Sequence, residues 1–134
     1  MNNNNILPTI SDRGSKIIIG GQEYELILTT RATKEISTRY GGLSNLGDKL
    51  MKSENFELAL DEIIWLITLL ANQSILIHNL HNQDDKHELL TEEVVELLTS
   101  PLELSEYKNA ITESMLKGTK RNIESENSIK SKNS

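Results

Sequence analysis

The chain has 134 residues, enough for one domain of ordinary size, with 37% hydrophobic residues, mostly Leu and Ile, and only 4% aromatic ones. Its formal net charge of −6 argues against a protein whose main task is gripping phosphate backbones, since such proteins depend on clustered Lys and Arg. Cysteine is absent, which excludes disulfides, thiolate metal sites and thiol nucleophiles.

The first residues, Met1-Asn2-Asn3-Asn4-Asn5, are polar where a signal peptide needs a basic start and an apolar run. Residues 1–15, with Pro8 and Gly14, read as a flexible arm. The hydrophobic period then becomes two. Ile17 and Ile19, then Tyr24, Leu26 and Leu28, alternate around Gly20-Gly21-Gln22. A two-residue turn at Gly21-Gln22 would pair Ile19 with Tyr24 and Ile17 with Leu26, all on one apolar face. A lone hairpin is marginal in water, so that face must lie on the helices that follow.

The first of these is expected from Thr30 to Tyr40, with Ala32, Ile36 and Tyr40 on one side, Glu35 and Arg39 able to pair on another, and Gly41-Gly42 as its stop. A short helix through Leu46, Leu50 and Met51 comes next, weakened by Gly47. A long helix then starts near Ser53 as N-cap, with Glu54 and Glu57 in the first turn, and runs to about Leu80. It carries two apolar stripes. One is Phe56, Leu60, Ile63, Ile67 and Leu70; the other, nearly opposite, is Leu58, Trp65, Leu69, Leu76 and Leu80. Asp61, Thr68, Asn72 and Asn79 form a polar seam between them. Helices that bury one face on their own domain normally keep the other wet, so the second stripe asks for a partner. The richest apolar stretch, residues 56–71, includes Glu57, Asp61 and Glu62 and falls short of the roughly 20 apolar residues that span a bilayer. The expected location is cytosolic, with no membrane contact.

Residues 82–86 read as a polar linker, followed by a helix from about Thr91 to Leu98. Ser100-Pro101-Leu102-Glu103 then forms a capping box with Pro at the first helical position. The helix it opens has Leu104, Tyr107, Ile111 and Met115 at helical spacing, with Gly118 as its stop. Beyond lie mostly Lys, Arg, Asn, Ser and Glu, a composition expected to be disordered. The fold class is therefore mainly α: an N-terminal β-hairpin packed on a bundle of about five helices, in a single globular domain over residues 16–118, with a disordered polar tail over 119–134.

Candidate chemistry is sparse. His78, His81, Asp84 and His87 fall within ten residues, but they sit where a helix frays into a polar loop, and such loops collect His, Asn and Asp without any metal. Asp61-Glu62 and Glu92-Glu93 are sequence neighbours, which a helix points about 100° apart, so neither pair converges on one atom. Gly20-Gly21 lacks any phosphate-cradle pattern, and no nucleophile elbow frames the serines. No catalytic, cofactor or metal residues are assigned. Residues 84–106 hold eight acids against Lys86 alone, whereas the tail from Lys117 is mainly basic; such runs are ordinarily solvated faces. Trp65 reads first as core, and otherwise as an interface anchor together with Leu58, Leu69 and Leu76.

Residues 17–26, the Tyr40-Gly41-Gly42-Leu43 helix end, Trp65 with Leu69-Leu70-Ala71-Asn72, Leu90-Thr91-Glu92-Glu93 and Ser100-Pro101 resemble, in order and spacing, the tail assembly chaperones of siphophages and prophages of Gram-positive bacteria. The resemblance covers roughly residues 16–118 and includes no invariant chemical signature. It implies a non-enzymatic helper in the host cytoplasm, absent from the mature virion, that coats the tape measure protein and helps recruit tail tube protein. It also implies that this chain is the short form of a pair, the longer one being made by ribosomal frameshifting. On this reading Leu58, Trp65, Leu69 and Leu76 bind protein, either the client or a second copy. Two rival readings are a small helical DNA-binding regulator built on residues 91–116, whose second helix offers only Lys108 as a base before Lys117, and a structural tail or connector component.

Overall fold

A computed structural model describes residues 13–51 and 60–133. Its elements are β1 (Gly14–Ile19), β2 (Gln22–Ile27), α1 (Thr30–Tyr40), α2 (Leu43–Met51), α3 (Leu60–His81), α4 (Glu92–Leu98) and α5 (Pro101–Asn133). The fold is mainly helical, with an antiparallel hairpin at its N-terminal side, as its patterning predicts. The expected N-cap Ser53, together with Phe56 and Leu58, lies outside the described residues.

The hairpin register differs by one residue on each strand from the sequence expectation. Ile17 faces Tyr24, Ser15 faces Leu26 and Ile19 faces Gln22, so the turn is Gly20-Gly21. Both glycines have positive φ, 57° and 83°, which a two-residue type I′ turn requires at both central positions. Gln22 would be strained there, and glycine is not. Because the pairing slips by two in total, the same residues keep the same face, and Ile17, Ile19 and Leu26 are all buried. Gly14 and Ser15, expected in the flexible arm, already belong to β1.

Helices flank the hairpin, α3 packing against β2 and α5 against β1. Three polar contacts fasten α5 along β1, which as an outer strand would otherwise leave carbonyls unpaired. The Tyr107 hydroxyl donates to the Ile18 carbonyl, Ser15 Oγ donates to the Ala110 carbonyl (2.5 Å), and Lys117 Nζ donates to the Gly14 carbonyl (2.7 Å). The core between these layers contains Ala32 and Ile36 of α1, Leu46 of α2, Val95 of α4, and Leu104, Tyr107, Ile111 and Met115 of α5. From α3 it takes Ile63, Ile67 and Leu70 of the first stripe, and also Ile64, Leu66, Ala71 and Ile75. Leu60, expected in that stripe, is exposed. By length and composition α3 could cross a bilayer; here it is the central helix of the fold, with eight residues buried by its neighbours.

Side chains cap two helix starts, and the Ser100 box matches its sequence signal. Thr29 Oγ1 accepts from Ala32 N (3.0 Å) and donates to the buried Gln73 Oε1, while Gln73 Nε2 donates to the Leu69 carbonyl (3.0 Å), so this interior amide has partners on both sides. In the Ser100 capping box, Ser100 N donates to Glu103 Oε1 (2.9 Å) and Glu103 N to Ser100 Oγ (3.3 Å). Gly118, by contrast, does not stop α5. A Cβ at that position would lie 2.8 Å from Leu28 Cβ, so the glycine permits close approach of helix to hairpin, and helical backbone continues to Asn133.

Candidate functional site

The polar seam on α3 acts as a clamp. Asn72 accepts from Leu90 N at Oδ1 (2.7 Å) and donates to the Leu90 carbonyl from Nδ2 (2.9 Å). Asn79 does the same to His87, accepting from its N–H (2.8 Å) and donating to its carbonyl (3.0 Å). The spacing explains the pairing: seven helical residues rise about 10.5 Å, and three residues of extended chain cover about 10 Å. Two asparagines seven apart therefore hold two backbone amides three apart, and the stretch from His87 to Leu90 is laid along α3. Asn82 ties off the helix end by donating to the His78 carbonyl (2.8 Å).

That clamp brings His87 onto His78. The two imidazoles stack with centroids 4.1 Å apart and 22° between their planes. Asp85 Oδ2 lies 3.7 Å from His78 Nε2 and 3.6 Å from His87 Nε2. His78 Nε2 is also 2.8 Å from the Asp85 carbonyl. His81 and Asp84, which sequence distance groups with these histidines, do not belong to the cluster. Asp85 does, a partner that the sequence could not single out because a turn, and no helical period, decides which acid faces the rings.

Beside the cluster opens a cleft of about 640 Å³ between β2, α3 and the clamped segment, lined among others by Glu23, Glu25, His78, His87 and Glu88. Burial pushes the Glu25 carboxyl above its ordinary range, an effect that Lys16 and Lys117 partly offset, and its Oε2 is buried with no hydrogen-bond partner. Burial likewise raises the Tyr107 phenol, as do Glu103 and Glu106.

The second α3 stripe is partly covered by the chain itself. Trp65 is half-buried beneath the end of α1: the Arg39 guanidinium sits 4.3 Å from its ring centroid, and Tyr40 meets it edge-on at 6.3 Å. Arg39, which the sequence offers to Glu35, thus stacks on the indole. Burial, helped by the charge of Glu62, pushes the Tyr40 phenol well above its ordinary range. Leu69 is half-buried against the core, Leu76 is half-buried, and Leu80 is exposed.

Among the described residues, most of the exposed apolar surface lies elsewhere. At the corner between α4 and α5, Leu97 is 75% exposed, Leu98 51% and Leu102 72%, with Val94 also open. Leu98 reaches the hairpin turn, where a Cβ on Gly20 would come within 2.9 Å of it, and Ile18 of β1 is exposed as well. A second apolar opening, about 430 Å³, lies between α2 and α5 and is lined by Leu43, Gly47, Thr112, Met115 and Leu116. Periodicity did not mark the corner, because α4 is too short to show a face of its own. Leu97-Leu98 followed by Leu102 was the available signal.

No protein-family model, no curated protein and no solved structure matches this chain.

Proposed function

We propose that this chain is a non-enzymatic holding protein, a tail assembly chaperone of a long-tailed phage, which shields the apolar helical segments of a tape measure protein in the host cytoplasm and helps recruit tail tube subunits. The observation that carries this reading is the apolar corner of Leu97, Leu98 and Leu102, left open on a chain with a net charge of −6. Apolar area binds a helical client without chemical specificity, and like charge keeps the carrier from coating itself. The resemblance of residues 16–118 to such chaperones supplies the identity of the client.

The test is co-expression with segments of a phage tape measure protein. The wild-type chain is expected to keep a segment soluble and to co-purify with it. A Leu97→Asp, Leu102→Asp double variant should fold normally and lose the client. The reading fails if the segment is equally insoluble with the wild-type chain, or if the double variant retains it fully. Trp65→Ala and Leu69→Asp locate the surface further: folded variants that release the client assign it to the α3 stripe, and unfolded ones make the stripe core. Tight, saturable duplex binding at low salt would favour the DNA-binding reading, and recovery of the protein from purified virions the structural one.

A further inference from the structure

We propose that His78, Asp85 and His87 form a binding site for a divalent transition-metal ion of the zinc class. Three ligand atoms of suitable kind, two imidazole nitrogens and a carboxylate oxygen, lie within 4.8 Å of one another. Bonds of about 2.0 Å to a tetrahedral ion set neighbouring donors roughly 3.3 Å apart. The two His-to-Asp85 separations, 3.7 and 3.6 Å, are longer than that by only a few tenths of an ångström. Side-chain rotation of the exposed Asp85 narrows these two gaps. The imidazoles, stacked 22° from parallel, must turn to aim both lone pairs at one ion, and the Asp85 carbonyl, 2.8 Å from His78 Nε2, must give way.

The site is also held in place before any ion arrives. His78 is on α3, and His87 is fixed to the same helix through both of its backbone groups by Asn79. Asn72 fixes Leu90 in the same way, so the segment carrying His87 has two anchor points. Preorganisation of this kind removes the entropy cost that usually makes loop histidines poor ligands. In this structure His78 Nε2 donates to the Asp85 carbonyl. On binding, that nitrogen turns its lone pair to the ion and the ring carries its proton on Nδ1, so Asn82, whose Nδ2 faces Nδ1 at 3.4 Å, must turn its amide to present Oδ1. Both imidazoles line the 640 Å³ cleft, where water or a further donor can complete the coordination.

The chain has three histidines, which makes the test clean. Untagged full-length protein is titrated with Zn²⁺ by calorimetry, with the histidine ring signals followed by NMR. One equivalent should bind, shifting His78 and His87 and leaving His81 in place. His87→Gln and Asp85→Asn should each weaken binding by at least the 10- to 100-fold, roughly, that follows from disturbing a metal's surroundings. His81→Gln should bind as the wild type does. Thermal unfolding adds a readout independent of the spectra, since the folded-state ligand should raise Tm in the wild type and not in His87→Gln. The proposal is overturned if one equivalent of Zn²⁺ leaves the His78 and His87 signals unmoved, or if His81→Gln costs as much affinity as His87→Gln.

Discussion

Helices α4 and α5 meet at Ser100-Pro101 and treat their apolar residues in opposite ways. On α5, Leu104, Tyr107, Ile111 and Met115 are between 0 and 8% exposed, and the helix is fastened to β1 by hydrogen bonds at three points. On α4, only Val95 is buried, while Val94, Leu97 and Leu98 face outward. Both helices are begun by a side-chain cap, Thr91 for α4 and Ser100 for α5, so local sequence signals alone do not separate them. The difference is one of geometry. A helix of seven residues makes two turns and can present one narrow face inward, so a sequence as apolar as Val94-Val95-Glu96-Leu97-Leu98 leaves surplus carbon in water. Surplus of this kind contributes nothing to folding and is available for another chain.

The comparison is broken most forcefully from the α5 side. Ile111 is fully buried between the hairpin and the helices. Ile111→Ala deletes core carbon and leaves a cavity, and it should cost about 2–5 kcal/mol in chemical denaturation. A loss below about 1 kcal/mol would mean that α5 is not the packed partner of β1.

A smaller effect sharpens the same contrast at the far end of α5. Gly118→Ala improves helix propensity by up to about 1 kcal/mol but drives a methyl group into Leu28, an overpacking that costs about 1–3 kcal/mol. Net destabilisation of roughly 1–2 kcal/mol is expected. The informative measurement is the double-mutant cycle with Leu28→Ala. If Gly118 serves close packing, trimming Leu28 removes the Cδ2 and Cγ contacts, at 2.9 and 3.2 Å, and leaves the Cβ one, so the two changes couple favourably in part. Had the glycine been a helix stop, Leu28 would be irrelevant and the two costs would simply add.

Gly118 also marks the limit of what was legible in the sequence. Glycine near the end of an apolar period reads as a stop, because the alternative reason for it, the Leu28 side chain pressed against the backbone, comes from just beyond β2, about ninety residues earlier. The Gly20-Gly21 turn shows a milder form of the same difficulty. The hairpin, its apolar face and its dependence on helices could be read from alternation, whereas the register turned on which pair of residues tolerates positive φ. The four inward residues of α5 were legible because helical spacing and a capping box agree. The His78–Asp85–His87 cluster was half legible: the residue types were visible, but Asp85 was not, since the asparagine clamp that folds the loop acts on backbone groups, which every residue shares. In α3 the first stripe predicted core, while the rows of Ile64, Ala71 and Ile75 show a helix packed on more sides than a two-stripe reading allows.

The smallest expected effect is the most telling for α4. Leu97→Ala removes as much carbon as many core truncations, yet 75% of the residue already faces water, so little transfer free energy is lost. Alanine is also at least as good a helix former as leucine, and the net change should stay within about 0.5 kcal/mol. Set against Ile111→Ala, the two values measure how much of each helix's apolar content the fold itself uses. A cost for Leu97→Ala above about 1 kcal/mol would contradict the open corner, unless it vanished on dilution. Concentration dependence would mean that a second copy covers Leu97 and its neighbours, so the same apolar surface would be in use, with this chain itself as the occupant.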